Sequence, residues 1–286
     1  APADGVWRDW LLDSNGEIAA VLDWKVGSHD WTLETKSGDQ IASGNQPKGE
    51  VGLIAFGKDG KTAIYSEVDE SDTTRWYEVP LDGSAKPSEY LPNEKIDFWY
   101  LQPFTSRLTG YRPDDGEGAV VFFDPAFQAK ADGIMKAYAG VNSELTAWTP
   151  DFRKVLLTTN GNGDSGTWYL LDTVSKQAQV IGVERPRIGG RVGPISMIDY
   201  KAADGTELRG ILTLPFDRPG QNLPLVIFPH GGPHAEDFAR FDWWAQAFAS
   251  RGYAVFQPNF RGSTDRDEAF QHAGYGQWGR KMQSDL

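Results

Sequence analysis

His230-Gly231-Gly232-Pro233 is the segment of this chain best suited to chemistry. It follows the apolar run Pro224-Leu225-Val226-Ile227-Phe228 and precedes a helical pattern. Acyl transfer passes through an oxyanion, which needs N–H donors aimed where the charge develops. Glycines suit the task because backbone can approach a substrate with no Cβ in between. Pro233 lacks an N–H and stiffens the turn. The donor is therefore Gly231 or Gly232, with Gly232 the choice. A glycine-rich strand-to-helix turn without catalytic role is the competing reading. What is missing is a nucleophile. No G-x-S-x-G occurs in the 286 residues, and the nearest approach, Gly163-Asp164-Ser165-Gly166, fails at Thr167. Nor is there a Cys to take the serine's place.

The elements around this loop follow from apolar patterning. Pro224 to Phe228 reads as a strand buried on both faces. A helix is expected from near Glu236-Asp237, with Phe241, Trp244 and Phe248 on one face, ending at Arg251-Gly252. Tyr253 to Gln257 reads as a second buried strand. Ile195 to Tyr200 and Glu207 to Leu214 pair around the turn Ala203-Asp204-Gly205. Strand, helix, strand in this order begins a parallel α/β sheet, the setting of the HGGG-type oxyanion loop of α/β-hydrolases. Arg261 follows a strand at the C-terminal edge of that sheet, where sites collect. It either binds a substrate carbonyl or carboxylate or forms a structural salt bridge. His230 is expected to brace its loop, not to act as a base. His234 and His272 have no partner at metal-like spacing, and neither a metal nor a cofactor is expected.

Before residue 190 the grammar is different. A unit recurs about every 45 residues, within the range for β-propeller blades. Each copy has a polar turn, an apolar strand, a gap and a strand carrying an aromatic. The first uses Ser14 to Glu17, Ile18 to Trp24 and Trp31 to Leu33; the second Lys58 to Lys61, Thr62 to Val68 and Trp76 to Val79. The third is degenerate, with Thr105-Ser106, Leu108 to Tyr111 and Val120 to Phe123; the fourth uses Pro150 to Arg153, Lys154 to Thr159 and Thr167 to Leu171. Residues 1–190 thus read as about four blades of a partial β-propeller, with the chain beginning within a blade. Residues 191–286 read as the N-terminal portion of an α/β-hydrolase domain.

Composition narrows the classes. A net charge of −12 argues against a nucleic-acid binder or an anionic-membrane surface as partner. No apolar stretch approaches the roughly 18 residues that span a bilayer. The start, Ala1-Pro2-Ala3-Asp4, reads as a processed or cut end. A soluble protein is expected, cytoplasmic favoured over periplasmic, with homo-oligomerisation left open. Gly161-Asn162-Gly163-Asp164-Ser165-Gly166 matches G-x-G-x-x-G, but the strand-like Thr167 to Leu171 follows, so a hairpin loop is expected rather than a dinucleotide site. The acidic run Glu67-Val68-Asp69-Glu70-Ser71-Asp72 reads as a solvated loop, the alternative being a site for a basic or N-terminal amine group of a peptide. The 11 Trp are expected to pack between sheets rather than form a sugar platform, and Trp244 to be core.

Two further segments follow the loop in order, Pro258-Asn259-Phe260-Arg261-Gly262-Ser263 and Tyr275-Gly276-Gln277-Trp278-Gly279. With H-G-G-P, an N-x-R-G-S segment and a Gly/aromatic stretch after a propeller-like repeat, the chain resembles the prolyl oligopeptidase family of serine peptidases. The nearest branch is the acylaminoacyl-peptidase-like one. The resemblance implies a Ser, Asp, His triad in that order, all beyond Leu286, with the serine on a G-x-S-x-G elbow. It implies further blades before residue 1, so truncation at both ends and an inactive chain when alone. The partners it implies are a peptide substrate and either the rest of the same polypeptide or a complementary fragment. A serine esterase on the same fold, or a non-catalytic propeller and hydrolase-like binding protein, are the alternatives.

Overall fold

The computed structural model describes residues 5–49, 51–70, 73–113 and 120–286. Ala1 to Asp4, and the Ser71-Asp72 end of the acidic run, lie outside them. The chain divides into two compact units, Ala1–Ala129 and Lys130–Leu286.

The first unit is built of antiparallel meanders. β1 (Val6–Leu12), β2 (Ile18–Lys25), β3 (Asp30–Thr35) and β4 (Gln40–Asn45) form one sheet in chain order. β5 (Gly52–Phe56), β6 (Thr62–Val68), β7 (Thr74–Pro80) and β8 (Ser88–Glu89) form the second. β9 (Ile96–Leu101), β10 (Leu108–Pro113) and β11 (Val121–Phe122) form a third. The repeat legible in the sequence was the inner pair of strands of each sheet. Residues 6–45 make a full four-stranded sheet, so the expectation that the chain starts within a repeat unit is corrected. β1 hid because its pattern does not alternate: Trp7, Arg8, Asp9 and Trp10 are all exposed and Leu11 alone is buried.

Apolar faces join these sheets. Leu22, Trp24, Trp31, Leu33, Tyr65 and Val79 form one buried cluster. Ala55, Ile64 and Leu108 form another, with Trp99 and Tyr90 packed against it. Each fully buried Leu or Val contributes about 1.5–3 kcal/mol. Trp24 and Trp31 are core, as expected of blade tryptophans; Trp7 and Trp10 are not.

After β11 the chain forms α1 (Pro125–Ala137), which the sequence reading did not expect. Its start is well specified. The Asp124 carboxylate accepts from Ala126 N at 2.7 Å, and Pro125 takes the first helical position, where no N–H is needed.

The second unit holds a fourth meander and a mixed sheet. β12 (Asn142–Trp148), β13 (Lys154–Gly161), β14 (Asp164–Asp172) and β15 (Gln177–Val183) pair in chain order. Gly161 pairs with Asp164 across the turn Asn162-Gly163, both at positive φ. The glycine-rich segment is thus a tight hairpin and not a nucleotide loop. The mixed sheet comprises β16 (Ile195–Lys201), β17 (Glu207–Thr213), β18 (Leu225–Ile227) and β19 (Ala254–Asn259), in the order β16-β17-β19-β18. β18 and β19 are parallel; β17 runs antiparallel to both its neighbours. α2 (Trp243–Ala249) connects β18 to β19, and α3 (Glu268–His272) and α4 (Lys281–Ser284) follow.

Three expectations change here. α2 begins at Trp243, capped by the Asp242 side chain on Ala245 N at 2.7 Å, rather than near Glu236. The preceding backbone is not helical: Phe241 N, which a helix from Glu236 would turn to Asp237 O, donates instead to Asn160 Oδ1, and Asp237 N donates to Asn259 Oδ1. The buried face of α2 is Ala245, Gln246 and Ala249, whereas Trp244 stacks on Phe228 and stays 46% exposed. Finally, β19 is buried as expected, but Leu225 and Ile227 of β18 are exposed on a sheet face that nothing covers among the described residues. No helix among the described residues is long and apolar enough to cross a membrane.

Candidate active site

The glycine loop and the Phe260–Ser263 segment leave the C-terminal ends of adjacent parallel strands, β18 and β19. Ligands gather at such ends in open α/β sheets. Phe228 N donates to Phe256 O at 2.8 Å, extending the pairing to the mouth of the loop.

Hydrogen bonds stitch the two segments together. Asn259, fully buried, accepts from Asp237 N at 2.8 Å and donates to Asp237 O at 3.0 Å. Thr264 N donates to Ala235 O at 3.1 Å. The His230 ring stacks on Phe260 with centroids 4.5 Å apart and planes 17° apart. Its Nδ1 lies 2.9 Å from Gly231 O and its Nε2 2.8 Å from Ser263 Oγ. Gly232 has a φ of +135°, and a Cβ there would sit 2.9 Å from His234 N, so only glycine fits. Gly231 has open space where a Cβ would be. Among the described residues, neither Gly231 N–H nor Gly232 N–H donates a hydrogen bond. Beside them is a cavity of about 270 Å³ lined by His230, Gly232, Phe260, Trp278, Met282 and Leu286 among others.

A His–Ser contact at 2.8 Å invites a nucleophile reading, which access rules out. Ser263 is 0% exposed and also lies 2.6 Å from Phe260 O. Nδ1 faces a peptide carbonyl, where a triad would place a carboxylate.

Arg261 lies on the same segment but turns away from the cavity into an ion network. Nε and Nη2 donate to Asp285 at 2.7 and 2.6 Å; Nη1 and Nη2 donate to Asp204 at 3.0 and 3.1 Å. Of the two readings of this residue, the salt bridge is the one the geometry realises, since four of its five N–H groups are committed. Asp285, and then Asp204, hold the guanidinium above its usual range. Asp204 is held well below the usual carboxylate range, mainly by Arg261, with Thr206 and Lys281 adding. Burial pushes the Asp237 and Asp265 carboxyls up.

The sequence reading singled out Gly231, Gly232 and His230, which lie on the loop after β18. It gave no role to Ser263, Phe260 or Asp285, because what they do depends on contacts 24 to 33 residues away. Among the described residues, no cluster of His, Cys, Asp and Glu could hold a metal.

Residues 239–286 match the model of the prolyl oligopeptidase family. The chain is 32% identical over 288 residues to the dipeptidyl-peptidase 5 of Aspergillus fumigatus, covering 98% of this chain and 32% of that protein. It is 27% identical over 241 residues to dipeptidyl aminopeptidase BIII of Pseudoxanthomonas mexicana, covering 80% of this chain and 34% of that protein. The fold is shared with an acylaminoacyl peptidase of Pyrococcus horikoshii at a TM-score of 0.62 and 15% identity, over 98% of this chain and 44% of the other. The chain thus spans about a third of the length of the curated relatives it matches. Sequence and fold together place it in the prolyl oligopeptidase family.

Proposed function

We propose that this chain supplies the oxyanion side of a serine peptidase acting on short peptides. In this reading Gly232 N–H, with Gly231 N–H as the alternative, receives the charge that develops on the scissile carbonyl. The nucleophile and its His and Asp come from outside these 286 residues. The four meanders are blades of a propeller that screens substrates by size, and residues 191–286 are the N-terminal part of the hydrolase domain. One observation carries the reading. Two glycine N–H groups without acceptors among the described residues, on a loop pinned from several directions, stand beside a cavity at the C-terminal end of a parallel strand pair. Preorganised donors of this kind are the largest single source of acyl-transfer catalysis, each worth about 10²–10³ in rate.

The test is made on the full-length protein. A fluorophosphonate probe is expected to label a serine, and peptide p-nitroanilides to turn over faster than short acyl esters. Turnover of esters alone would move the assignment to an esterase; no labelling and no turnover would leave a binding protein.

A further inference from the structure

We propose that Asn259 and Asn160 are positioning residues: together they hold residues 236–242 out of the helix their sequence favours, and so keep the loop that carries Gly232 in place. This inference rests on the reading of Gly232 as the oxyanion donor.

Residues 236–242 have the makings of a helix start. Glu236 and Asp237 would face the positive end of the axis, and Ala239 and Arg240 are good helix formers. Phe241 would continue the apolar face of Trp244 and Phe248. α2 nevertheless begins at Trp243 and has 7 residues, short beside the roughly 10–14 of an ordinary helix. Asp242 before it is extended, at φ −110° and ψ 121°.

Two amide side chains account for the missing turns. Asn259 Oδ1 accepts from Asp237 N at 2.8 Å, and its Nδ2 donates to Asp237 O at 3.0 Å. In a helix the N–H and C=O of one residue point toward opposite ends of the axis, beyond the span of one planar amide. In extended backbone they face the same side, as in a strand pair that exchanges two bonds. The clamp therefore fits only an extended Asp237. Asn259 is 0% exposed, so water does not compete for it. Asn160 Oδ1 accepts from Phe241 N at 3.0 Å and from Asn142 Nδ2 at 3.1 Å. It thereby takes the N–H that a helix would turn to Asp237 O. Gln246 uses the same clamp on Gly193, at 2.8 and 3.2 Å, and this anchors α2 itself.

Winding would move Gly232. A helix rises about 1.5 Å per residue and an extended chain about 3.3 Å, so residues 236–242 would shorten by up to about 12 Å. With α2 held by Gln246 and by buried Ala245 and Ala249, the shortening falls on the loop. It would pull Ala235 O away from Thr264 N, now 3.1 Å apart, and drag Gly232 behind it.

The experiment uses the full-length protein and a helix-disfavouring change at the exposed Ala239. Asn259→Ala is expected to lower kcat on a peptide anilide about thirtyfold and Asn160→Ala about threefold, each a part of the roughly 10²–10³ that one donor supplies. KM stays unchanged, because the donor acts on the transition state. Asn160→Asp keeps the accepting oxygen and is expected to match wild type. Ala239→Gly disfavours helix about fivefold. Alone it is expected to change nothing; added to either alanine variant it is expected to recover most of the lost kcat. A glycine that leaves the loss unmoved or deepens it overturns the proposal, as does an Asn160→Asp no better than Asn160→Ala. If Asn259→Ala does not fold, residue-resolved hydrogen exchange on wild type and Asn160→Ala serves. Wild type is expected to show a slow Asp237 N–H and a fast Ala239 N–H, because a helix from Glu236 would free the first and bond the second to Ala235 O. Asn160→Ala is expected to slow Ala239, and an equally fast Ala239 in both proteins overturns the hold. If the protein hydrolyses neither amide nor ester, the functional reading fails, while the exchange pattern still decides the hold.

Discussion

The meander β1–β4 and the mixed sheet β16–β19 have four strands each and hold them by different means. In the meander every strand pairs with its sequence neighbour, and the seal is apolar: Leu33, Ala20 and Leu22 are buried among tryptophans. In the mixed sheet the order β16-β17-β19-β18 skips a strand, and its C-terminal loops are closed by polar devices. Arg261 joins Asp285 to Asp204, Asn259 spans to Asp237, and His230 spans to Ser263. Apolar packing tolerates changes of shape, whereas a hydrogen-bonded fork tolerates only its own geometry. A scaffold can rely on the first, but a site that must place an N–H to within a few tenths of an ångström relies on the second.

Replacement at matched positions would break or sharpen this contrast. Arg261→Ala leaves Asp285 buried and uncompensated, and is expected to cost about 3–5 kcal/mol in urea unfolding. Arg261→Lys is expected to recover little, since an ammonium cannot reproduce the two-sided fork. Leu33→Met, a volume-conserving change at a 0% exposed core site, is expected to cost less than about 1.5 kcal/mol. A lysine variant as stable as the methionine one would erase the distinction.

The glycine pair supplies a smaller effect. Gly232→Ala forces a left-handed φ and a clash with His234 N, and is expected to cost about 1–3 kcal/mol. Gly231→Ala meets open space and should change stability by no more than about 0.5 kcal/mol. Equal costs in denaturant melts would mean that the loop is not held in the described conformation.

The smallest effect is a pH dependence. Burial raises the Asp265 carboxyl above its ordinary value, so between the two values the folded state holds more protons than the unfolded one. Stability then falls as pH rises through that window. Asp265→Asn removes the fall. Its thermal midpoint is expected to exceed that of wild type at pH 7, with the difference shrinking toward pH 4 and below. A gap that stays constant with pH would assign the change to packing.

The same division explains what the sequence disclosed. Inner strands such as β2, β6 and β13 announced themselves, because alternation and turn residues are local signals. β1 did not, since its exposed Trp7 and Trp10 flank Arg8 and Asp9 and break the alternation of a half-buried strand. α1 is not among the expected elements although Asp124-Pro125 is a strong start signal, because the third, degenerate repeat ends at Phe123 in the sequence reading and the segment after it carries no assignment. At the site, the glycines were legible as local backbone chemistry. The delayed start of α2 was not: it is set by Asn160 and Asn259, both far away in sequence. Arg261 could be assigned to an ion pair only once Asp285 and Asp204 were seen on either side of it.

The hairpin between β13 and β14 has a consequence for how this family member can vary. Its tip contributes Asn160 Oδ1 to Phe241 N and Asn162 Oδ1 to Ile195 N. One short turn thereby anchors both the entrance to the mixed sheet and the approach to α2. Surface hairpins ordinarily absorb insertions and deletions freely. Here one added or deleted residue would pull both asparagines out of register at once, so this turn is the meander loop least able to change length.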